Sequence, residues 1–178
     1  MKRTDSRALL AAAADGNLWE LPYTFVPDRD TVDGYVESAL NSQASGKTIP
    51  YVIERAGDEQ IIGTTRFVNA DPLARTVEIS HTWIAGSFQG TKVNTEAKYL
   101  MLAFAFETLE CIRVQLRADK TNIRSRRAIE KIGAIEEGTL RNERMMPDGR
   151  KRDAVLYSII DSEWATVKTR LLSRLGAH

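Results

Sequence analysis

Cysteine and histidine are nearly missing from this chain. Cys111 is the only cysteine, and His81 and His178 are the only histidines, in 178 residues. A lone thiol closes no intramolecular disulfide, and so few thiols and imidazoles exclude a cysteine-based metal site and argue against a histidine-based one. Long apolar runs are missing too. Leu9-Leu10-Ala11-Ala12-Ala13-Ala14 comes nearest, but Asp15 and Gly16 close it. That is too short for a signal-peptide core and far below the roughly eighteen residues of a membrane span. Neither sign of charge dominates: 25 Lys and Arg against 24 Asp and Glu leave +1, so bulk electrostatics singles out neither nucleic acid nor a membrane as partner. Without repeats, low-complexity tracts or Pro/Gly/Ser linkers, no domain boundary is drawn, and residues 1–178 are read as one domain. With 43% hydrophobic and 28% charged residues, the chain has the composition of a soluble globule, expected in a reducing cytoplasm.

The periodicity changes once along the chain. Arg7 to about Trp19 is rich in Ala and Leu and predicts a helix that stops near Gly16-Asn17. Asp30 or Thr31 is the expected cap of a second helix, with Val32, Tyr35, Val36, Ala39 and Leu40 at helical spacing. After Pro50 the pattern turns to strands: Tyr51 to Ile53, Gln60 to Val68 with Gly63 as a bulge inside it, and Arg75 to Ile84, joined by turns at Gly57-Asp58 and Asp71-Pro72. Asn94 to Leu109 predicts a long helix with Ala97, Leu100, Met101, Phe104 and Ala105 on its apolar stripe. Arg113 to Ala118 is a strand, and Ser125 to Ile132 a helix closed by Gly133. Ile135 to Met146 and Lys151 to Ile160 flank the hairpin signal Pro147-Asp148-Gly149, and Ser162 to Leu175 is a closing helix. The sum is an α+β domain, a mixed and mostly antiparallel sheet flanked by helices.

Two stretches carry chemistry. Gln89-Gly90-Thr91-Lys92-Val93-Asn94-Thr95-Glu96-Ala97 is a loop of small and polar residues opening into an apolar helix. A helix start offers free backbone N–H groups and partial positive charge, which suits a phosphate. The plain alternative is an ordinary helix start capped by Asn94 or Thr95. Asn122-Ile123-Arg124-Ser125 opens the second amphipathic helix, and a simple cap pair explains it equally well.

The order of elements, with Ile62-Gly63-Thr64-Thr65-Arg66, Val77-Glu78-Ile79-Ser80-His81-Thr82-Trp83, the loop at 89–98, Asn122 to Ser125, Glu137-Gly138-Thr139-Leu140-Arg141, Asp148 to Asp153 and Glu163-Trp164, resembles the GNAT acyltransferases, and within them the RimJ/RimL-type branch of ribosomal-protein N-terminal acetyltransferases. The resemblance covers roughly residues 8 to 175. It implies transfer of an acetyl group from acetyl-CoA to an amine, a protein N-terminus or a small molecule, directly in a ternary complex and without a metal. It implies that Trp83, Ile84 and Ala85 pair through their backbone with the pantetheine arm next to the acetyl group. Gln89, Gly90, Thr91, Lys92, Val93, Asn94 and Thr95 would hold the pyrophosphate, Asn122 the cofactor arm, and Ser125 the leaving sulfur as proton donor. Arg126, with Arg124 and Arg127, would reach the 3′-phosphate, and Glu78 would be the general base, with His81 as a second candidate. The cofactor is expected where the strand ending near Ala85 splays from the strand beginning near Arg113, with the acceptor over the two N-terminal helices. A homodimer is an open partner expectation.

The chain departs from the family pattern in three respects. Lys92 and Asn94 occupy two positions of the phosphate loop that are usually small, where a side chain limits backbone approach; Lys92 could instead meet a phosphate directly. The strand that usually precedes the first helix is not evident. The tyrosine that many relatives place seven residues after the Asn position is Ile129 here, which leaves Ser125 as the donor and Tyr157 as a distant reserve. The altered loop and the missing tyrosine support a rival expectation, an acyl-CoA-binding sensor or scaffold without turnover. A nucleotide- or phosphopeptide-binding domain using the same helix start is a third.

Overall fold

The computed structural model describes residues 1–176, so His178 lies outside the described residues. Six strands form one sheet in the order β1-β2-β3-β4-β6-β5, with β1 Thr48–Glu54, β2 Ile61–Asp71, β3 Thr76–Ile84, β4 Arg113–Asp119, β5 Ile135–Met145 and β6 Lys151–Ile160. Five α-helices accompany them: α1 Ser6–Ala14, α2 Val32–Ala44, α3 Val93–Ala103, α4 Ile123–Ile132 and α5 Asp161–Leu175. Residues gather into two compact units, the first holding 1–70 and 79–97, the second 71–78 and the residues from Lys98 onward. None of the described helices is long and apolar enough to cross a membrane.

In the first unit, α1 buries Leu9, Ala12 and Ala13. It stops at Ala14, short of the expected Trp19, because Gly16 and Asn17 take left-handed backbone conformations (φ 92° and 47°); a short 3₁₀ turn, Leu18–Glu20, follows. Thr31 is the N-cap residue of α2, one of the two expected, but its side chain makes no capping bond, and Asp28 organises the start. The Asp28 carboxylate accepts from the N–H groups of Asp30 and Thr31 and from the Thr31 hydroxyl. Strands β1 and β2 run antiparallel from Thr48↔Val68 to Glu54↔Ile61, with the register shifting between Ile53 and Glu54. Gly63 faces Ile53 beside that irregularity, and a Cβ there would stand 2.3 Å from the carbonyl oxygen of Trp83. The half-sheet is covered on both faces. Leu9, Val36, Trp83 and Ala85 share one cluster, while Ile53, Ile62 and Ile84 pack with Phe88, Val93 and Ala97 in another.

In the second unit, β6 pairs antiparallel with β4, from Arg113↔Ile160 to Asp119↔Ala154, and with β5 on its other side. The turn between β5 and β6 falls where Pro147-Asp148-Gly149 predicts it, with Gly149 at φ 79°. Gly133 ends α4 in the left-handed conformation (φ 107°), as expected. The expected long helix is two pieces: α3 ends at Ala103 and a π-helical turn, Phe104–Thr108, completes it. Within α3 the buried face follows ordinary helical spacing through Thr95, Lys98 and Leu102, which leaves Leu100 on the outer side. Thr95, Lys98, Met101, Leu102 and Ala105 are buried, whereas Leu100 is 60% exposed and Phe104 39%. Trp164 of α5 is a wall residue: its ring stacks 5.3 Å from Phe106, and its indole N–H donates to Glu107 at 2.8 Å.

Candidate functional site

The loop from β3 to α3 is fastened at four points, all within the first unit. The Ala85 N–H donates to the Ile62 carbonyl at 2.8 Å and the Gly86 N–H to the Asp15 carbonyl at 2.7 Å. The Asp15 carboxylate accepts from both the N–H and the hydroxyl of Ser87. The side-chain amide of Gln89 donates to the Ile84 carbonyl. Gly86 is needed at this crossing, since a Cβ would lie 2.9 Å from the Asp15 carbonyl oxygen. Thr91 then caps the helix: its hydroxyl donates to the Phe88 carbonyl at 2.7 Å and accepts from the Val93 N–H at 3.3 Å. The cap is thus Thr91, with Asn94 and Thr95 already inside the first turn of α3. Between these fastenings Gly90 adopts φ 80°, and the N–H groups of Gly90 and Thr91 have no acceptor among the described residues. Two uncommitted donors at the positive end of a helix are the arrangement that suits an anion. Gln89 serves the loop as a brace, and Lys92 is exposed beside it.

Asp15 was not legible as a site residue, because 72 positions separate it from Ser87 and no spacing links them. Asp15→Ala should weaken acetyl-CoA binding by roughly 1–2 kcal/mol, the worth of one or two hydrogen bonds, while leaving thermal stability within a few degrees. Titration calorimetry with acetyl-CoA checks it; unchanged affinity would make the clamp irrelevant to the loop.

On β3, Ile84 and Ala85 are buried. Trp83 is buried too, and its indole N–H donates to the Tyr35 hydroxyl at 3.3 Å. The expected backbone-presenting segment is thus held between the two apolar clusters.

In the second unit Asn122 caps α4, its Oδ1 accepting from the Ser125 N–H at 3.0 Å. This is the cap pair that sequence alone also allowed. It leaves the Asn122 amide N–H groups and the Ser125 hydroxyl without partners among the described residues, both half-buried. Arg126 does not stand free: its Nε donates to the Tyr157 hydroxyl at 3.0 Å and its Nη2 lies 3.3 Å from Glu136. Tyr157 is fully buried, bonded to Arg126 and Glu130, with its phenol pKa pushed up by desolvation. It is part of a structural cluster and no reserve donor. Arg124 and Arg127 are exposed.

Glu78 is buried, with Arg117 Nε 3.3 Å from its carboxylate. Arg66 of β2 faces the ring of Tyr35. Arg117 reaches on to Glu143 at 3.8 Å, Glu143 to Arg152 at 3.8 Å, Arg152 to Asp119 at 3.7 Å, and Asp119 to Arg150 at 2.8 Å. This alternating row across β4, β5 and β6 has no sequence signature, since cross-strand neighbours are set by register. Asp119 illustrates it: desolvation raises its pKa, but hydrogen bonds from Thr121 and Arg150 outweigh that and hold it low. His81 is exposed, its backbone left-handed at φ 51°. Among the described residues no group of three or more His, Cys, Asp or Glu could hold a metal ion.

Comparison with known proteins accords with these features. A family model described as an acetyltransferase (GNAT) domain matches residues 1–135. A Bacillus subtilis (strain 168) protein named "Putative ribosomal N-acetyltransferase YdaF" is 36% identical over 107 residues, which cover 60% of this chain and 57% of that protein's length. A crystal structure of a "putative acetyltransferase" from T. thermophilus superposes with a TM-score of 0.85 at 33% identity, covering 98% of this chain and 90% of that one. Mycobacterium smegmatis RimJ in complex with CoA-disulfide shares the fold at a TM-score of 0.82 and 22% identity, over 99% and 87% of the two chains.

Proposed function

Because the chain belongs to the GNAT acetyltransferase family, we propose that it transfers the acetyl group of acetyl-CoA directly to an amine, and that all of 1–178 is one such domain. The observation that carries this reading is the loop at 85–93, braced by Asp15 and Gln89, with the Gly90 and Thr91 N–H groups unclaimed at the head of α3. Those donors take the pyrophosphate, joined by the first turn at Val93, Asn94 and Thr95 and by the ammonium of Lys92. The β3 end, Trp83 to Ala85, supplies backbone groups to the pantetheine arm. The Asn122 amide orients that arm, and the Ser125 hydroxyl gives a proton to the thiolate as the thioester carbon–sulfur bond breaks and the carbon–nitrogen bond forms. Arg126 holds α4 through Tyr157 and Glu136 and contributes to the cofactor by positioning that helix.

Glu78 is the proposed base, drawing the proton from the incoming ammonium so that a neutral amine attacks. Its ion pair with Arg117 accounts for its burial without a catalytic role, so the proposal needs a kinetic test. Glu78→Gln should slow turnover most at low pH, where the amine is hardest to deprotonate. A uniform loss that follows thermal stability assigns Glu78 to the charge row alone.

The acceptor in this reading is a protein α-amine, to which the word "ribosomal" in the name of the Bacillus protein lends support, or a small amine. The cytoplasm and a homodimeric state complete the proposal; the mass in solution reads the latter. The deciding experiment follows thiol release from acetyl-CoA over a panel of peptides and small amines. Ser125→Ala should lower kcat by about 10²-fold, the scale of general acid catalysis, with acetyl-CoA affinity unchanged; an unaltered rate at every pH removes Ser125 from the reaction. Binding of CoA species with no thiol released would support the alternative, a sensor without turnover, to which Ile129 in the usual tyrosine position lends weight.

A further inference from the structure

Arg66 sits in the middle of β2 and is only 6% exposed. The chain treats its other shielded arginines differently. Arg117, Arg150 and Arg152 each have a carboxylate oxygen within 4 Å. Arg66 has none: its guanidinium makes no ion pair and no hydrogen bond with any described residue, and its Nε is sealed from solvent without a partner. Its one contact is the ring of Tyr35, 4.6 Å from the guanidinium carbon. A guanidinium does not shed its proton, and a ring face offsets only part of what burying a charge costs.

Tyr35 is the second observation. Its hydroxyl accepts from the Trp83 indole at 3.3 Å, and its own O–H proton has no acceptor among the described residues. Two donor groups of different kinds, one charged and one neutral, therefore belong to a pair of stacked side chains between β2 and α2, without an acceptor among the described residues. Both belong to the first unit, as does the β3 end at Trp83. The partner that suits them is an anion that is flat, offers two oxygens, and carries one charge. A carboxylate matches the fork of a guanidinium edge to edge; a phosphate would bring a second charge that nothing here neutralises.

We propose that Arg66 and Tyr35 form a carboxylate-binding position and that the acceptor is an amine bearing a carboxylate, such as an amino acid or a peptide beginning with an acidic residue. This deepens the acetyl-transfer reading and rests on it. Arg66 fixes the acid end of the acceptor, and Tyr35 links that end to Trp83 of β3.

The test uses matched acceptors, each carboxylate against its carboxamide: α-amino acids against amino acid amides, and peptides beginning with Asp against those beginning with Asn. The wild-type enzyme should favour the carboxylate member in kcat/KM by roughly 10–100-fold, as loss of a charged hydrogen-bonded pair predicts. Arg66→Gln and Tyr35→Phe should collapse that ratio by raising KM for the carboxylate member, leaving KM for acetyl-CoA within about twofold, and Arg66→Lys should restore part of it. A wild-type enzyme indifferent to the acid, or an Arg66→Gln variant that loses both members of each pair equally, overturns the proposal. If Arg66→Gln does not fold, the wild-type ratio and Tyr35→Phe decide. Thermal shift gives a readout that needs no turnover: the carboxylate member alone should raise Tm. Acetyl-CoA binding with both members treated alike sinks only this assignment, whereas no acetyl-CoA binding sinks the acetyl-transfer reading while the thermal shift still judges Arg66.

Discussion

Gly63→Ala should destabilise the protein by about 2–4 kcal/mol, the scale of forced overpacking at a site without slack. The new Cβ would stand 2.3 Å from the Trp83 carbonyl oxygen, 3.0 Å from the Ile84 Cα and 3.2 Å from the Trp83 carbonyl carbon. All three are backbone atoms of β3, so no side chain can rotate aside; the strands themselves must part. Tm should fall by roughly 5–15 °C for a chain of this size. Acetyl-CoA affinity should fall with it, because the atoms displaced are those of the strand end proposed to meet the pantetheine arm. Gly34→Ala is the control. Gly34 lies inside α2 with nothing within 4 Å of a built Cβ, so the same change there should be neutral or stabilise by up to about 1 kcal/mol through helix propensity. Calorimetric melting of both variants checks the pair; equal Tm values would refute the close approach of β2 and β3.

Lys98→Met should raise stability at neutral pH and flatten its pH dependence. Lys98 is buried on α3, and desolvation pulls its pKa from 10.5 down to about 7. Between about pH 7 and 10.5 the unfolded chain holds this proton and the folded chain does not. Stability therefore rises with pH across that window and is lowest below it. The gap corresponds to about 5 kcal/mol at 1.36 kcal/mol per pH unit, an upper bound, because methionine also gives up whatever the ammonium gains from its surroundings. A gain of about 2–4 kcal/mol at pH 7 is expected on that scale. Urea denaturation at pH 6, 7, 8 and 9 measures it. A wild-type midpoint that does not climb over that range, or a variant less stable at pH 7, would show the ammonium to be well accommodated.

Element order was legible because it is written locally: alternation in β6, turn chemistry at Pro147-Asp148-Gly149, and glycine at the end of α4. Boundaries slipped where a distant or unusual feature intervened. α1 stops just before Gly16-Asn17, the pair expected to end it, so only its outer bound at Trp19 slipped, and the π-helical turn at 104–108 interrupts the expected long helix after Ala103. The loop at 89–95 could be singled out from composition as an anion-holding candidate, but not the means by which it is held. Gln89 reads as a ligand residue and acts as a brace, and Asp15 carries no hint of its task. Glu78 could be read from sequence only as a candidate base; its ion pair with Arg117 is set by strand register. Arg66 shows the reverse limit: a charged residue in a strand looks like half of an ion pair, and only the fold reveals that an aromatic ring, not an acid, stands opposite it.

The tie between Asp15 and Ser87 also bears on when the proposed cofactor grip can form. A contact spanning 72 positions forms only after a long stretch of chain has been ordered, and such closures come late in folding. Helix α3 can wind early from its own residues, yet the loop ahead of it remains unseated until the amino-terminal helix docks. The proposed cofactor grip thus depends on the amino-terminal helix being in place, and trimming the chain through Asp15 should disarm the loop even though none of its own atoms had been removed.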